Sequence, residues 1–390
     1  MRVYLDYNAT TPVDPAVLAA MLPYLAQDFG NASSIHSAGQ RARAAVDRAR
    51  DSVGKLIGAA PSEIVFTSGG TEADNLAVFG VVAAAPQSRK HIITTAFEHH
   101  AVLNACQALL AHGIDVTFVP VGRDGIVDPE DVRRALRPET VLISVMHANN
   151  ELGTIQPIEE IGRIAAEADA FFHCDAVQSA GKLSLDVNQL GVDLLSISAH
   201  KIYGPKGAGA LYVRSGTPLE PRLFGGHHER DRRPGTENVP GIVGLGKAAE
   251  LADAHLNDDA SRIVALRNRL EETILEEVPS VRVNGARDRR VPNTANLSFE
   301  RAGGEALVIA LDLQGVACSS GAACSSGAVE PSHALLAIGL SPDDARSSLR
   351  FSLGRATGPR EIDHAIRVIP PVVERLRLLS PRPLDSVAAQ

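Results

Sequence analysis

Between residues 63 and 213 the chain repeats one unit: a short apolar run, an amphipathic stretch of helical length, then another apolar run. The runs fall at 64–67, 91–95, 116–119, 141–145, 171–174, 194–197 and 210–213. Short continuous apolar runs are what strands buried on both faces require. Helical crossovers between them set successive strands parallel. The pattern predicts an α/β domain with a seven-stranded, mostly parallel sheet. In such sheets ligands bind beyond the carboxyl ends of the strands, so function is sought in the residues that follow each run.

From about residue 248 the pattern changes. A long amphipathic helix is expected over 251–277, strands at 281–283, 295–299, 316–318 and 349–353, and a helix over 305–313. A last helix, 361–379, should be interrupted near Pro370-Pro371, and the tail after Ser380 should fray. This reads as a smaller α+β domain. The expected division is a large domain over 13–250 and a small C-terminal domain over 251–390, with segment 1–12 packed on the small one. A composition of 45% hydrophobic and 22% charged residues suits a sizeable core. The net charge of −8 argues against a nucleic-acid surface, although Arg230, Arg232 and Arg233 form one local basic patch. No run approaches membrane-spanning length and the N-terminus has no cleavable apolar segment, so a cytoplasmic protein is expected. Cys106, Cys174, Cys318 and Cys324 lack metal-type spacing and read as reduced thiols, with no intrinsic metal site.

Five strand ends carry unusual residues. After 194–197 come Ser198, His200 and Lys201, and Gly204-Pro205 then breaks regular structure. Arginine far outnumbers lysine in this chain, and a lysine at the mouth of a buried strand is an uncommon placement. Partial burial would lower its pKa toward the range in which an amine attacks a carbonyl, as a Schiff-base lysine for pyridoxal phosphate (PLP) must. A surface lysine at a strand end would read the same way. After 64–67, Ser68-Gly69-Gly70-Thr71 joins strand to helix, either an anion cradle or an ordinary capped turn. His99 follows the next run and could stack on a flat cofactor and shuttle a proton, or be a solvated loop histidine. Asn150 lies beyond 141–145. Asp175 ends 171–174, where it could pair with a pyridine nitrogen or cap a helix. One such group means little; five at five strand ends supply every part of a PLP site. Lys201 is expected to be the only lysine there.

The segment 316–328 is small, polar and flexible in composition, with Cys324 at its middle. Cys318 follows apolar residues and should be shielded, whereas Cys324 reads as a nucleophile on a mobile loop, a tolerated free thiol being the alternative.

Taken together, the chain resembles the cysteine desulfurases, the NifS/IscS group of class V aminotransferase-like PLP enzymes. The resemblance runs nearly end to end. It rests on Tyr4-Leu5-Asp6-Tyr7-Asn8-Ala9-Thr10-Thr11-Pro12, Ser68-Gly69-Gly70-Thr71-Glu72, Glu98-His99-His100-Ala101-Val102 and His147-Ala148-Asn149-Asn150-Glu151. It continues in Asp175-Ala176-Val177-Gln178-Ser179, Ser198-Ala199-His200-Lys201, Ala323-Cys324-Ser325-Ser326, Glu330-Pro331-Ser332-His333 and Leu349-Arg350-Phe351-Ser352.

The resemblance implies the type I PLP-dependent transferase fold and a homodimer. It implies that Lys201 holds the cofactor, that His99 stacks on the ring and moves protons, and that Asp175 pairs with the ring nitrogen. Gln178 would contact the ring hydroxyl, and Gly70, Thr71, Ser198 and His200 the phosphate. Asn150, also beside the cofactor, and Arg350 would bind the substrate carboxylate. Thr236 would reach the neighbouring subunit's phosphate, with Pro234 where many relatives carry serine. The implied reaction converts L-cysteine to L-alanine and leaves a persulfide on Cys324. The implied acceptors are scaffold or carrier proteins in iron–sulfur cluster assembly or thiolation, with Cys324 a candidate transient iron–sulfur ligand on a scaffold. A selenocysteine lyase, or a sulfur-delivery partner of weak intrinsic activity, is the alternative.

Overall fold

The computed structural model describes residues 1–86, 88–320 and 330–379. Its first strand, β1 (Val3–Tyr4), is followed by β2 (Ile64–Thr67), β3 (His91–Thr95), β4 (Asp115–Val119), β5 (Thr140–Ser144), β6 (Phe171–Asp175), β7 (Leu194–Ser198) and β8 (Gly209–Val213). The last seven form one sheet in the order β2-β8-β7-β6-β5-β3-β4. Every neighbour pair from β7 to β4 is parallel, and β8 runs antiparallel to both β7 and β2. Two antiparallel steps restore the direction, so β2 points the same way as β7. The carboxyl ends of β2, β3, β5, β6 and β7 therefore lie along one edge. Except in the edge strand β4, the sheet residues are buried almost throughout, as apolar runs covered by helices on both faces must be.

A smaller sheet takes β9 (Val281–Val283), β10 (Thr294–Phe299), β12 (Ser319–Ser320) and β13 (Ser348–Ser352) in the order β12-β13-β10-β9, all antiparallel. Between them in sequence, β11 (Val316–Ala317) pairs in parallel with β1. Val3 and Leu5 are buried in the same apolar cluster as Leu297, Phe299, Leu349 and Phe351.

Two expectations change. The helix expected over 251–277 begins twelve residues earlier and spans Val239–Glu277, with Pro240 in its first turn and the Asn238 side chain accepting from Gly241 N. Its first half, with Ile242, Leu245 and Ala249, belongs to the large core, and its second half, with Ile263, Leu270 and Ile274, to the small one. The last helix, Pro359–Leu379, continues through Pro370 and Pro371. Its buried face, Ile362, Ala365, Ile369 and Val373, is in register on both sides of them, so packing outweighs two missing N–H groups.

Candidate active site

Gly69, just beyond β2, has φ 154° and ψ −177°, a conformation that suits glycine. Helix Gly70–Ala84 then starts without a side-chain cap, leaving its first N–H groups for a ligand. A Cβ on Gly70 would stand 2.8 Å from Val177 Cγ2, so only glycine lets the backbone pass here. Ser198 Oγ, at the end of β7, is buried and has no hydrogen-bond partner among the described residues. His200 Nδ1 lies 3.1 Å from Thr10 Oγ1. Burial, then Lys201 and Lys206, pull the His200 pKa down to about 4 and keep the ring neutral. An uncapped helix end beside an unpartnered hydroxyl is a cradle for phosphate.

Asp175 ends β6, with Oδ1 accepting from Val177 N at 2.9 Å. Burial pushes its pKa up to about 6, against the lowering effects of that bond and of Lys201. A cationic ring nitrogen is the partner such a carboxylate lacks. Asp74 is wholly buried beside it, and burial together with the Asp175 charge raises its pKa well above the ordinary carboxylate range. His99 caps helix His100–Leu110 with Nδ1 accepting from Ala101 N at 3.1 Å, which puts the neutral ring's proton on Nε2. Burial and the cations around it lower its pKa to about 4.

Lys201 lies on the short turn Ala199–Lys201 that follows β7, and its Nζ donates to Asn8 O and, at 2.9 Å, to Ala9 O. The N-terminal segment thus reaches into the site. Arg350 comes from β13 of the small sheet. Nη2 donates to Asp6 Oδ1 at 2.6 Å and Nη1 to Asn150 O at 3.1 Å. Arg350 Nε is buried without a partner among the described residues, which leaves part of the fork for a carboxylate.

These groups line one cavity of about 300 Å³. It brings together Gly70, Thr71, His99, Asn150, Asp175, Gln178, Ser198, His200, Lys201 and Arg350. Thr236 is elsewhere, in a separate cavity with Ser68, Gly207 and Arg233. Cys324 lies outside the described residues. Cys318 is buried, and its thiol is pushed up to about 12 by burial and by Asp6. Sequence reasoning passed over Asn8, Asp74 and Lys182. Lys182 also corrects the expectation of a single lysine at the site, since its Nζ donates to Gln178 Oε1 at 2.8 Å and to Asn8 Oδ1 at 3.4 Å. Its spacing of four from Gln178, in a turn tied by Lys182 N donating to Ser179 O, was the available signal.

The unpartnered Ser198 hydroxyl, the uncapped helix end and the buried Asp175 carboxylate, held by Val177 N on one oxygen, all fit PLP. A cavity sized for a small flat phosphate ester, with an amine and a carboxylate at adjacent strand ends of such a sheet, defines the PLP-dependent enzymes of fold type I. The chain belongs to the aminotransferase class-V family, whose model matches residues 3–364. It is 53% identical over 382 residues to "Cysteine desulfurase IscS" of Anaeromyxobacter dehalogenans, covering 97% of this chain and 94% of the relative. Among solved structures it is similar to a "NifS-like protein" (TM-score 0.90, 36% identity, 97% of this chain and 100% of that one). It is also similar to "SspA in complex with cysteine" (TM-score 0.81, 41% identity, 90% and 98%).

Proposed function

We infer that the protein is a PLP-dependent cysteine desulfurase. L-cysteine and an enzyme thiol give L-alanine and an enzyme persulfide: the substrate's Cβ–S bond breaks, an S–S bond forms and a proton takes sulfur's place on Cβ. The balance needs no outside oxidant or reductant. One observation carries the reading: the lysine, carboxylate, histidine and arginine of that chemistry line a single cavity in a chain so similar to a cysteine desulfurase. PLP, when bound, supplies an electron sink at the substrate's α-carbon.

The chain's own residues do the rest. Gly70, Thr71, Ser198 and His200 would hold the phosphate, Asp175 the ring nitrogen, Gln178 the ring hydroxyl and Lys201 the aldehyde carbon. Lys201 Nζ is the group to take the α-proton, and His99 holds a movable proton on Nε2. Arg350 and Asn150 orient the substrate carboxylate. Cys324 receives the sulfur. We propose a homodimer in which Thr236 reaches the neighbouring subunit's phosphate, and sulfur delivery to a scaffold or carrier protein for iron–sulfur cluster assembly or thiolation. No helix among the described residues is long and apolar enough to cross a membrane, in keeping with a cytoplasmic place of action.

The test is to load the protein with PLP, add L-cysteine, and measure alanine and the peptide that gains sulfur. Cys324→Ser should keep the visible cofactor band yet form no persulfide and no alanine in excess of background. Cys318→Ser should stay active, because its buried thiol yields almost no thiolate at neutral pH. Added sulfur on Cys318 instead, with Cys324→Ser still active, reverses the assignment.

A further inference from the structure

Lys182 reaches the site from behind Gln178. Its Nζ donates to Gln178 Oε1 at 2.8 Å and to Asn8 Oδ1 at 3.4 Å, while Gln178 Nε2 donates to Asn8 O at 3.0 Å. These bonds settle which end of the amide is which. An ammonium carries donors only and a backbone carbonyl accepts only. Oε1 must therefore face Lys182, and Nε2 must face Asn8. Asn8 is fixed in the same way, since its Nδ2 donates to Asn150 O and Thr294 Oγ1 while Oδ1 accepts from Asn293 Nδ2. Among the described residues one N–H of Gln178 is left over, and Gln178 lines the 300 Å³ cavity.

We propose that Lys182 is a positioning residue for the cofactor: by locking the Gln178 amide it makes the cavity present an N–H, not a carbonyl, to the ring hydroxyl oxygen. A donor there favours that oxygen in its ionised form. With Lys182 gone, the bond from Nε2 to Asn8 O at 3.0 Å is the one tie left on the amide among the described residues, and the amide is then free to swing about it and move its N–H away from the ring oxygen. Lys182 is half-buried by surface, and its Nζ is closely surrounded. Burial, with Lys201 and Arg350 as like-charged neighbours, lowers its pKa to about 7. The lock outlasts the charge, because a neutral amine still has two N–H groups for two oxygens. Lys182 also lines a second, small cavity of about 30 Å³ shared with Lys201 and Tyr203, so the two lysines share a wall but touch different atoms of Asn8.

This inference rests on the PLP reading of the site. The full-length protein is stripped of PLP and titrated with it, following visible absorbance and the visible circular dichroism of the bound cofactor. Wild-type protein that takes up no PLP overturns the cofactor reading and this inference with it; the other arms bear on Lys182 alone. Lys182→Met should weaken PLP binding by up to roughly tenfold, as loss of the one hydrogen bond that Gln178 would make to the ring oxygen implies, and should change the dichroism by releasing the ring's contact. In a Gln178→Ala background the same substitution should add less than about a twofold loss and no further dichroic change, because the residue it acts through is gone. An equal loss in both backgrounds, or none in the single variant, overturns the proposal. If Lys182→Met does not fold, as judged by far-ultraviolet dichroism, Lys182→Ala, which likewise removes every donor, is put through the same cycle with the same criteria.

Discussion

Arg350 enters the cavity already paired. Asp6 takes one Nη2 proton and Asn150 O one Nη1 proton, which fixes the plane of the guanidinium before any substrate arrives. A side chain held this way loses little freedom on binding, so its contribution goes into orienting the substrate. Arg350→Ala should raise KM for cysteine about ten- to a hundred-fold, the loss of roughly 1.5–3 kcal/mol expected for a charge-assisted pair. PLP should stay bound, since the groups proposed to hold its phosphate, ring nitrogen and ring hydroxyl are other residues. Steady-state kinetics beside a cofactor titration decide it: PLP loss with an unchanged KM contradicts the role. At this scale the sequence was informative wherever a polar residue followed an apolar run, as at His99, Asp175 and Lys201. Asn8 and Lys182 escaped because each acts through a neighbour's amide or carbonyl, and sequence position alone carries no trace of such a partner.

The turn after β3 shows how one element holds the His99 ring, proposed above to move a proton, still. Glu98 Oε1 accepts from Thr95 Oγ1 at 2.6 Å and from Met146 N at 2.9 Å, and Glu98 O lies 2.8 Å from His333 Nε2. His99 is thereby anchored from the strands on either side of the turn and from the segment at 333. Glu98 Oε2 has no partner among the described residues, and burial pushes the carboxyl up to about 8 from an ordinary 4.5. Between those values the folded protein keeps a proton that the unfolded chain has released, so this group's contribution to stability falls as pH rises. Glu98→Gln keeps an acceptor oxygen and cannot ionise. Its stability relative to wild type should rise from about pH 4.5 to 8, by at most ~1.4 kcal/mol per pH unit, and then level off. Urea denaturation across that range checks it, and a gap constant with pH would show that Glu98 stays ionised. Element types were legible because each sheet strand is a short apolar run, and all seven expected runs became strands. The helix boundaries were less so: residues 239–250 are rich in glycine, and only packing against the large core shows that they are helical.

Across the whole molecule, segment 1–12 does two jobs. Leu5 is fully buried in the small core and its carbonyl accepts from Ser352 N at 2.8 Å, while Asn8, three residues on, accepts from Lys201. Leu5→Ala should cost ~2–5 kcal/mol, the usual range for a buried leucine, with little change in PLP release, because Asn8 keeps its own bonds to Asn150, Asn293 and Thr294. Urea midpoints and the rate of cofactor loss are the two readouts; lowered stability with faster PLP release would show that Asn8 depends on Leu5 for its place. The change of pattern near residue 248 pointed to a second core with segment 1–12 packed on it, but the reach of that segment to Lys201 left no mark in the sequence, because backbone carbonyls of Asn8 and Ala9 make it. We place the boundary between the cores inside helix Val239–Glu277. Its 39 residues make a rod about 58 Å long, at 1.5 Å per residue. Neither core can melt while the other stays whole without fraying that rod at mid-length, where its hydrogen bonds are continuous. A protein whose large and small sheets pack on separate apolar clusters should therefore unfold as a single cooperative unit, and calorimetry should record one transition where that layout would suggest more.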